Sequence, residues 1–284
     1  MYEGFYGFSE RPFSKTPDPR FLYLSPVHRE ALARLLYAVE ERDLVLLTGE
    51  IGCGKTTLSR ALMDELGDGY RGILFINPRL NPMEFLRALA LRLGIRQPAR
   101  FKTDLLEQLG AALYRLYREG KCPVLVIDEA QLVPHKETFD EIRLLTNFQL
   151  DDRNLMSIVL MGQPELRKRL AHRAYEPLRQ RIGMQYDLKP LSLEQTADYL
   201  DFRLKIAGGK EGLFRPGAVE LIFGYAGGIP RKINHVASLS LLEGFGRGVR
   251  EIGPEIVEAV TVELDFVPGQ NADAFGLAAT NGNH

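Results

Sequence analysis

From Asp43 onward the chain alternates short, unbroken apolar runs with longer segments in which apolar residues recur every three or four positions. The runs are LVLLT, GILFIN, PVLVID, MSIVLMG and MQYDLKPL, separated by LSRALMDEL, MEFLRALALRL, LLEQLGAALYRLYRE and FDEIRLLTNF. A continuous Val/Ile/Leu run predicts a strand buried on both faces, and the helical period between runs predicts crossovers that cover those faces. The pattern predicts an α/β fold: a five-stranded parallel sheet between layers of helices. Upstream, HREALARLLYAVEE (His28–Glu41) has the period of a helix. It follows an irregular stretch rich in aromatic residues and proline, with Tyr2, Phe5, Tyr6, Phe8, Phe13 and then TPDPRFLYLSP.

After Pro190 the strand signals stop. Four helical patterns follow, SLEQTADYLDFRLKIAG, PGAVELIFGYAGG, RKINHVASLSLLEGFG and PEIVEAVTVEL, which predict a small all-helical domain. The expected organisation is an arm and helix over 1–42, an α/β core over 43–190 and a helical domain over 191–265. The stretch 266–284 is small, polar and without period, and predicts disorder.

Composition narrows the class. Hydrophobic residues are 45% and charged residues 26% of the 284, which fits a packed domain and excludes a disordered or collagen-like chain. A net charge of -1 gives no whole-molecule basic field, so constitutive nucleic-acid binding would need a local patch. No run reaches the roughly 18 apolar residues of a membrane span, and MYEGFYGFSERPF lacks the regions of a signal peptide. A cytoplasmic chain is expected, with reduced thiols at Cys53 and Cys122. The five histidines have no metal-ligand spacing with the cysteines, so no zinc site is expected.

The chemistry begins directly after the first strand, where GEIGCGKT opens a helix. This is the setting of a phosphate-binding loop. Glycines 49, 52 and 54 would let backbone amides turn onto phosphates; Lys55 would reach the β and γ phosphates and the Thr56 hydroxyl a magnesium ion. The contacting stretch is expected to comprise Gly49, Glu50, Gly52, Cys53, Gly54, Lys55, Thr56 and Thr57, with Cys53 serving packing more than redox control. PVLVIDEA ends a strand in two acids, where Asp128 suits Mg2+ and Glu129 suits the general base that activates water on bound ATP.

Gln163 ends the next strand with an amide suited to holding that water or the γ phosphate. Asn77, at the end of GILFIN, is expected to restrain Glu129. Arg179 and Arg181, in PLRQRIG, would stand at the rim, where one could reach a neighbouring subunit's ATP. Arg231, in GGIPRKIN, sits at a helix start, an electrostatically unfavourable place for a cation that suggests a phosphate contact.

FYGF with PF, TPDPRFLYLS, HREAL, GEIGCGKTT, VLVIDEAQ, VLMGQPEL, LRQRI and GGIPRKIN together resemble the ExeA/GspA-type AAA+ ATPases, from about Tyr2 to about Asp265. Pilus-associated, polysaccharide-locus and TniB-like transposition ATPases are related to that family. The resemblance implies sheet order 5-1-4-3-2 with a helical lid, Lys55 and Thr56 in Walker A, and Asp128 and Glu129 in Walker B. It further implies Gln163 at sensor one, Arg231 at sensor two, and Arg179 or Arg181 as a finger acting across a homo-oligomer interface. Gln163 departs from the asparagine or threonine commoner at sensor one.

The function implied is Mg-ATP hydrolysis that drives or switches assembly of a secretion, pilus or exopolysaccharide-export system. The alternative is a DNA-associated, TniB-like ATPase that recruits a transposase. Secretion members carry a membrane span and a peptidoglycan-binding region after the ATPase. None follows Asp265 here, so action through partner proteins, peripherally at the inner membrane, is the expectation.

Overall fold

The computed structural model describes residues 1–14, 19–150 and 153–264; the stretch 266–284, expected to be disordered, and part of TPDPRFLYLS lie outside the described residues. In chain order the elements are α1 (Glu3–Tyr6), α2 (Pro26–Glu40), β1 (Leu44–Gly49), α3 (Lys55–Glu65), β2 (Tyr70–Ile76), α4 (Pro82–Arg92), α5 (Lys102–Arg118) and β3 (Cys122–Asp128). There follow α6 (Lys136–Leu145), β4 (Ser157–Gly162), α7 (Pro164–Ala171), α8 (Glu176–Arg179), β5 (Ile182–Leu188), α9 (Leu193–Ile206), α10 (Pro216–Ala226), α11 (Pro230–Gly246) and α12 (Pro254–Glu263). Local chemistry sets several boundaries. Asn81 and Glu84 form a reciprocal capping box with Pro82 opening α4, and Ser192 with Gln195 does the same for α9.

The chain divides into two compact units, one from His28 to Leu188 and the other joining Met1–Val27 to the chain from Lys189 onward. The first unit holds the sheet, ordered β2-β3-β4-β1-β5 with every neighbouring pair parallel. This is the order 5-1-4-3-2 counted from the other edge. Parallel pairing needs a crossover between strands, which the helices between successive strands provide. In register Thr48 stands opposite Gly162, Ile127 opposite Leu160 and Ile76 opposite Asp128, so the carboxyl ends of β1, β3, β4 and β2 share one edge. Ligands of open parallel sheets bind at such an edge.

The expectation of strands buried on both faces holds for β1, β3 and β4, which are buried throughout. It fails for β2 and β5, where Gly72, Ile76, Gly183 and Gln185 are exposed, because a strand at the border of the sheet has a neighbour on one side only. The core around the central strands includes Phe85 and Phe139, 1% and 0% exposed, packed with Leu46, Ile127 and Leu160. Truncating either phenylalanine to alanine costs about 3–5 kcal/mol.

In the second unit the irregular first residues are part of a core. Tyr2, Phe8, Phe13 and Phe21 are buried with Tyr199, Phe214, Val236 and Ile256. Arg203 of α9, 7% exposed, donates from Nε to the Pro12 carbonyl at 2.7 Å and lies 4.7 Å over the Phe21 ring, so a buried cation ties the N-terminal segment to α9. The Gly-Gly pair before α11 has a local cause. Both residues have positive φ, and a Cβ on Gly228 would stand 2.0 Å from the Leu191 carbonyl oxygen.

Candidate functional site

β1 delivers the chain into the loop 50–54, and α3 begins at Lys55. Gly52 and Gly54 take φ of 88° and 96°, a region that side chains other than glycine enter at a cost. Gly49 is needed for a different reason: its Cβ would lie 2.9 Å from the Leu188 carbonyl oxygen of β5. The first turn of α3 has no acidic residue and no side-chain cap, which leaves its backbone N–H groups available to an anion.

Lys55 is 5% exposed and donates from Nζ to the carbonyls of Gly49 (2.7 Å) and Glu50 (3.0 Å), which holds its ammonium inside the loop. Thr56 Oγ1 donates to Asp128 Oδ2 at 2.6 Å, so a hydroxyl from α3 and a fully buried carboxylate from β3 meet. An oxygen pair of this kind suits a magnesium ion whose other ligands are phosphate oxygens and water. Glu50 and Thr57, expected as nucleotide contacts, are exposed on either side of the loop.

The loop rests on a residue that motif spacing does not reveal. His28 of α2, 5% exposed, donates from Nε2 to the Cys53 carbonyl at 2.8 Å, and its ring occupies the space that a Cβ on Gly54 would need, 2.9 Å away. Burial pushes the His28 pKa down, only partly opposed by that hydrogen bond, so the neutral ring is favoured. Cys53 is wholly buried and its thiol is pushed up to about 11 by burial, which keeps it protonated and makes it a packing residue.

Glu129 follows Asp128 out of β3 with φ of 55°, and its backbone N–H donates to Asp128 Oδ1 at 2.9 Å. One carboxylate oxygen, Oε2, accepts from two amides, Gln163 Nε2 at 3.2 Å and Gln131 Nε2. Gln131 Oε1 in turn accepts from the Gln163 backbone N–H at 3.1 Å. The amide thus bridges the ends of β3 and β4. Gly162 makes room for it, since a Cβ there would stand 2.7 Å from Gln131 Oε1.

Arg169 of α7 fixes the turn after Glu129, donating to the carbonyls of Val133 (2.6 Å) and Gln131 (3.4 Å) while its guanidinium lies over Phe139 and Tyr175. Asn77, expected to restrain Glu129, is exposed beyond β2 with φ of 58°, and Gln131 and Gln163 hold the carboxylate in its place. The strand ends explain this. Gln131 and Gln163 reach Glu129 from its own turn and from the neighbouring strand β4.

The fold therefore brings together Lys55, Thr56, Asp128, Glu129 and Gln163. Arg179 and Arg181 face elsewhere, with Arg179 donating to the Ala171 carbonyl at 2.8 Å and Arg181 to Asn147 Oδ1 at 3.2 Å. Arg231 belongs to the helical unit, exposed in the first turn of α11, which contains no acidic residue. Motif spacing does not reveal His28, Gln131 or Arg169; Gln131 stands in VLVIDEAQ, yet only the β3–β4 pairing shows what it reaches.

Residues 39–170 match the family model described as AAA domain. Over that stretch the fold is that of an AAA domain. It is 39% identical over 281 residues to the General secretion pathway protein A of Aeromonas hydrophila, an alignment that takes in 98% of this chain and 51% of the relative. The resemblance to the ExeA/GspA type thus runs along nearly the whole chain, while the chain spans about half the length of that relative.

Among solved structures, the Cdc6p of Pyrobaculum aerophilum superposes with a TM-score of 0.64 at 20% identity, covering 87% of this chain and 71% of that one. The Aeropyrum pernix ORC2 protein, solved as ADPNP-ADP complexes, gives 0.62 at 18%, covering 90% and 72%. The Thermotoga maritima RuvB Holliday junction branch migration motor gives 0.57 at 20%, covering 84% and 68%. These likenesses carry the fold. Among the described residues no helix is long and apolar enough to cross a membrane.

Proposed function

We propose that the chain binds and hydrolyses Mg-ATP, and that the observation carrying this reading is the meeting of Lys55, Thr56, Asp128, Glu129 and Gln163 at one sheet edge. The P-loop amides and Lys55 would hold the phosphates. Mg2+ at Thr56 and Asp128 would neutralise charge on the β and γ phosphates. Glu129 would take the proton of the attacking water, and Gln163 would hold that water or the γ phosphate. Lys55 and Thr56 then form Walker A, Asp128 and Glu129 Walker B, and Gln163 sensor one.

Arg179 and Arg181 hydrogen-bond the Ala171 carbonyl and Asn147 Oδ1 and not the Thr56–Asp128 pair, and on this proposal one of them acts in trans in a homo-oligomer. Arg231, exposed in the first turn of α11, would be the sensor-two residue. The work of the cycle, on this proposal, is to drive or switch assembly of an export apparatus at the cytoplasmic face of the inner membrane through partner proteins. The support is the 39% identity to a General secretion pathway protein A.

The test mixes two variants. Glu129→Gln keeps its arginines, and the double variant Arg179→Ala/Arg181→Ala keeps its P-loop and base. Each alone is expected to bind ATP with turnover lost, and the mixture to recover hydrolysis at interfaces that combine one intact site with one intact finger. Wild-type turnover in Glu129→Gln refutes the base. A mixture that co-assembles and stays inactive refutes the trans finger.

A further inference from the structure

Glu129 is a half-buried glutamate at the sheet edge with three rotatable side-chain bonds, and holding such a side chain in one pose costs up to about 2 kcal/mol of rotamer entropy. A base must nevertheless be placed to within a few tenths of an ångström. The turn after β3 supplies the means. Gln131 Oε1 accepts from the Gln163 backbone N–H, a group that can only donate, so the orientation of the amide is fixed and its Nε2 must face Glu129. Arg169 pins the backbone of the same turn through the Gln131 and Val133 carbonyls, and the bare Cα of Gly162 gives the amide its seat.

Two amides share Glu129 Oε2, and they are not equivalent. Gln163 is also the residue proposed to meet water or the γ phosphate, so its side chain has a second claim on it. Gln131 has none: its contacts are Glu129, the Gln163 backbone and Arg169. We propose that Gln131 is the positioning residue for hydrolysis. It occupies Oε2 so that Oε1 is the oxygen presented to water, and it ties the pose of the base to the end of β4. This rests on the reading of Glu129 as the base.

The experiment measures steady-state ATP hydrolysis and equilibrium binding of a non-hydrolysable ATP analogue for Gln131→Met, Gln131→Glu and Glu129→Gln. Methionine keeps the length and loses donor and acceptor; glutamate keeps the acceptor for the Gln163 N–H and loses the donor. Both are expected to lower kcat roughly 10- to 100-fold, the usual loss when the partner that orients a reacting group is removed. KM and analogue affinity are expected to stay within about twofold, because neither Lys55 nor Asp128 is touched.

In the Glu129→Gln background, adding Gln131→Met is expected to change the residual rate little, since there is no longer a base to place. If Gln131→Met does not fold, the isosteric Gln131→Glu carries the test. Unchanged or raised kcat in the Gln131 variants beside an inactive Glu129→Gln overturns the positioning role and leaves the base intact. Full turnover in Glu129→Gln overturns the base, and a fall in affinity equal to the fall in kcat reduces Gln131 to a structural part of the loop.

Discussion

Replacing His28 by leucine tests whether the P-loop is built on α2 as the structure shows. Leucine fills a comparable volume, so the cavity it leaves is small, and the change removes the hydrogen bond to the Cys53 carbonyl. That carbonyl belongs to a wholly buried residue, and orphaning such a group costs about 1–3 kcal/mol, offset in part by the apolar burial of leucine. The expected net loss is about 1–2 kcal/mol near neutral pH.

A second signature separates this from generic damage. Burial lowers the His28 pKa below its ordinary 6.5, so the unfolded chain takes up the proton more readily than the folded one. The full contribution of the neutral ring is therefore present above about pH 6.5 and is lost as pH falls toward the folded value. The His28→Leu variant lacks that slope, and the gap between it and the wild type should narrow as the solution is acidified. Hydrogen exchange of the β1 amides, Leu44–Gly49, reads the stability of the nucleotide-binding unit without interference from the helical one. Equal protection in the two proteins at pH 7.5, or the same pH dependence in both, would refute the latch.

Two other outcomes follow from the site. Lys55→Ala should abolish nucleotide binding in titration calorimetry while leaving the far-ultraviolet circular dichroism unchanged, and retained affinity would remove Lys55 from the site. Cys53, pushed up to about 11 and wholly buried, should react with iodoacetamide at pH 8 about two hundred times more slowly than a thiol of ordinary pKa, and at the ordinary rate in denaturant. Fast native labelling that ATP blocks would instead make it an open, reactive thiol.

The fold was legible because its signals are local. Strand runs, helical periods and turn residues fall within a few positions of one another, and β1, β3 and β4 are buried throughout, as unbroken Val/Ile/Leu runs require. The border strands were misjudged because apolar content reports average burial and not place in the sheet; Ile76 is as apolar as any central residue and is 57% exposed. The N-terminal aromatics were harder still. Tyr2, Phe8 and Phe13 find their partners some two hundred positions later in α9–α12, and a segment without its own period gives no sign of where it packs.

The same division runs through the site. Lys55, Thr56, Asp128 and Glu129 could be named because each sits inside a motif whose chemistry is complete within eight residues. His28, Gln131 and Arg169 could not, because what they do is defined by residues on other elements: a carbonyl in the P-loop, a backbone N–H at the end of β4, and carbonyls in the turn after β3. Asn77 shows the cost of reasoning from strand-end position alone. It lies at the right edge of the sheet, one residue beyond the strand that pairs with β3, yet the carboxylate turns toward the β4 side, where two glutamines supply the donors. A strand end identifies where chemistry can occur; the pairing of the neighbouring strands decides which side chain holds the reacting group.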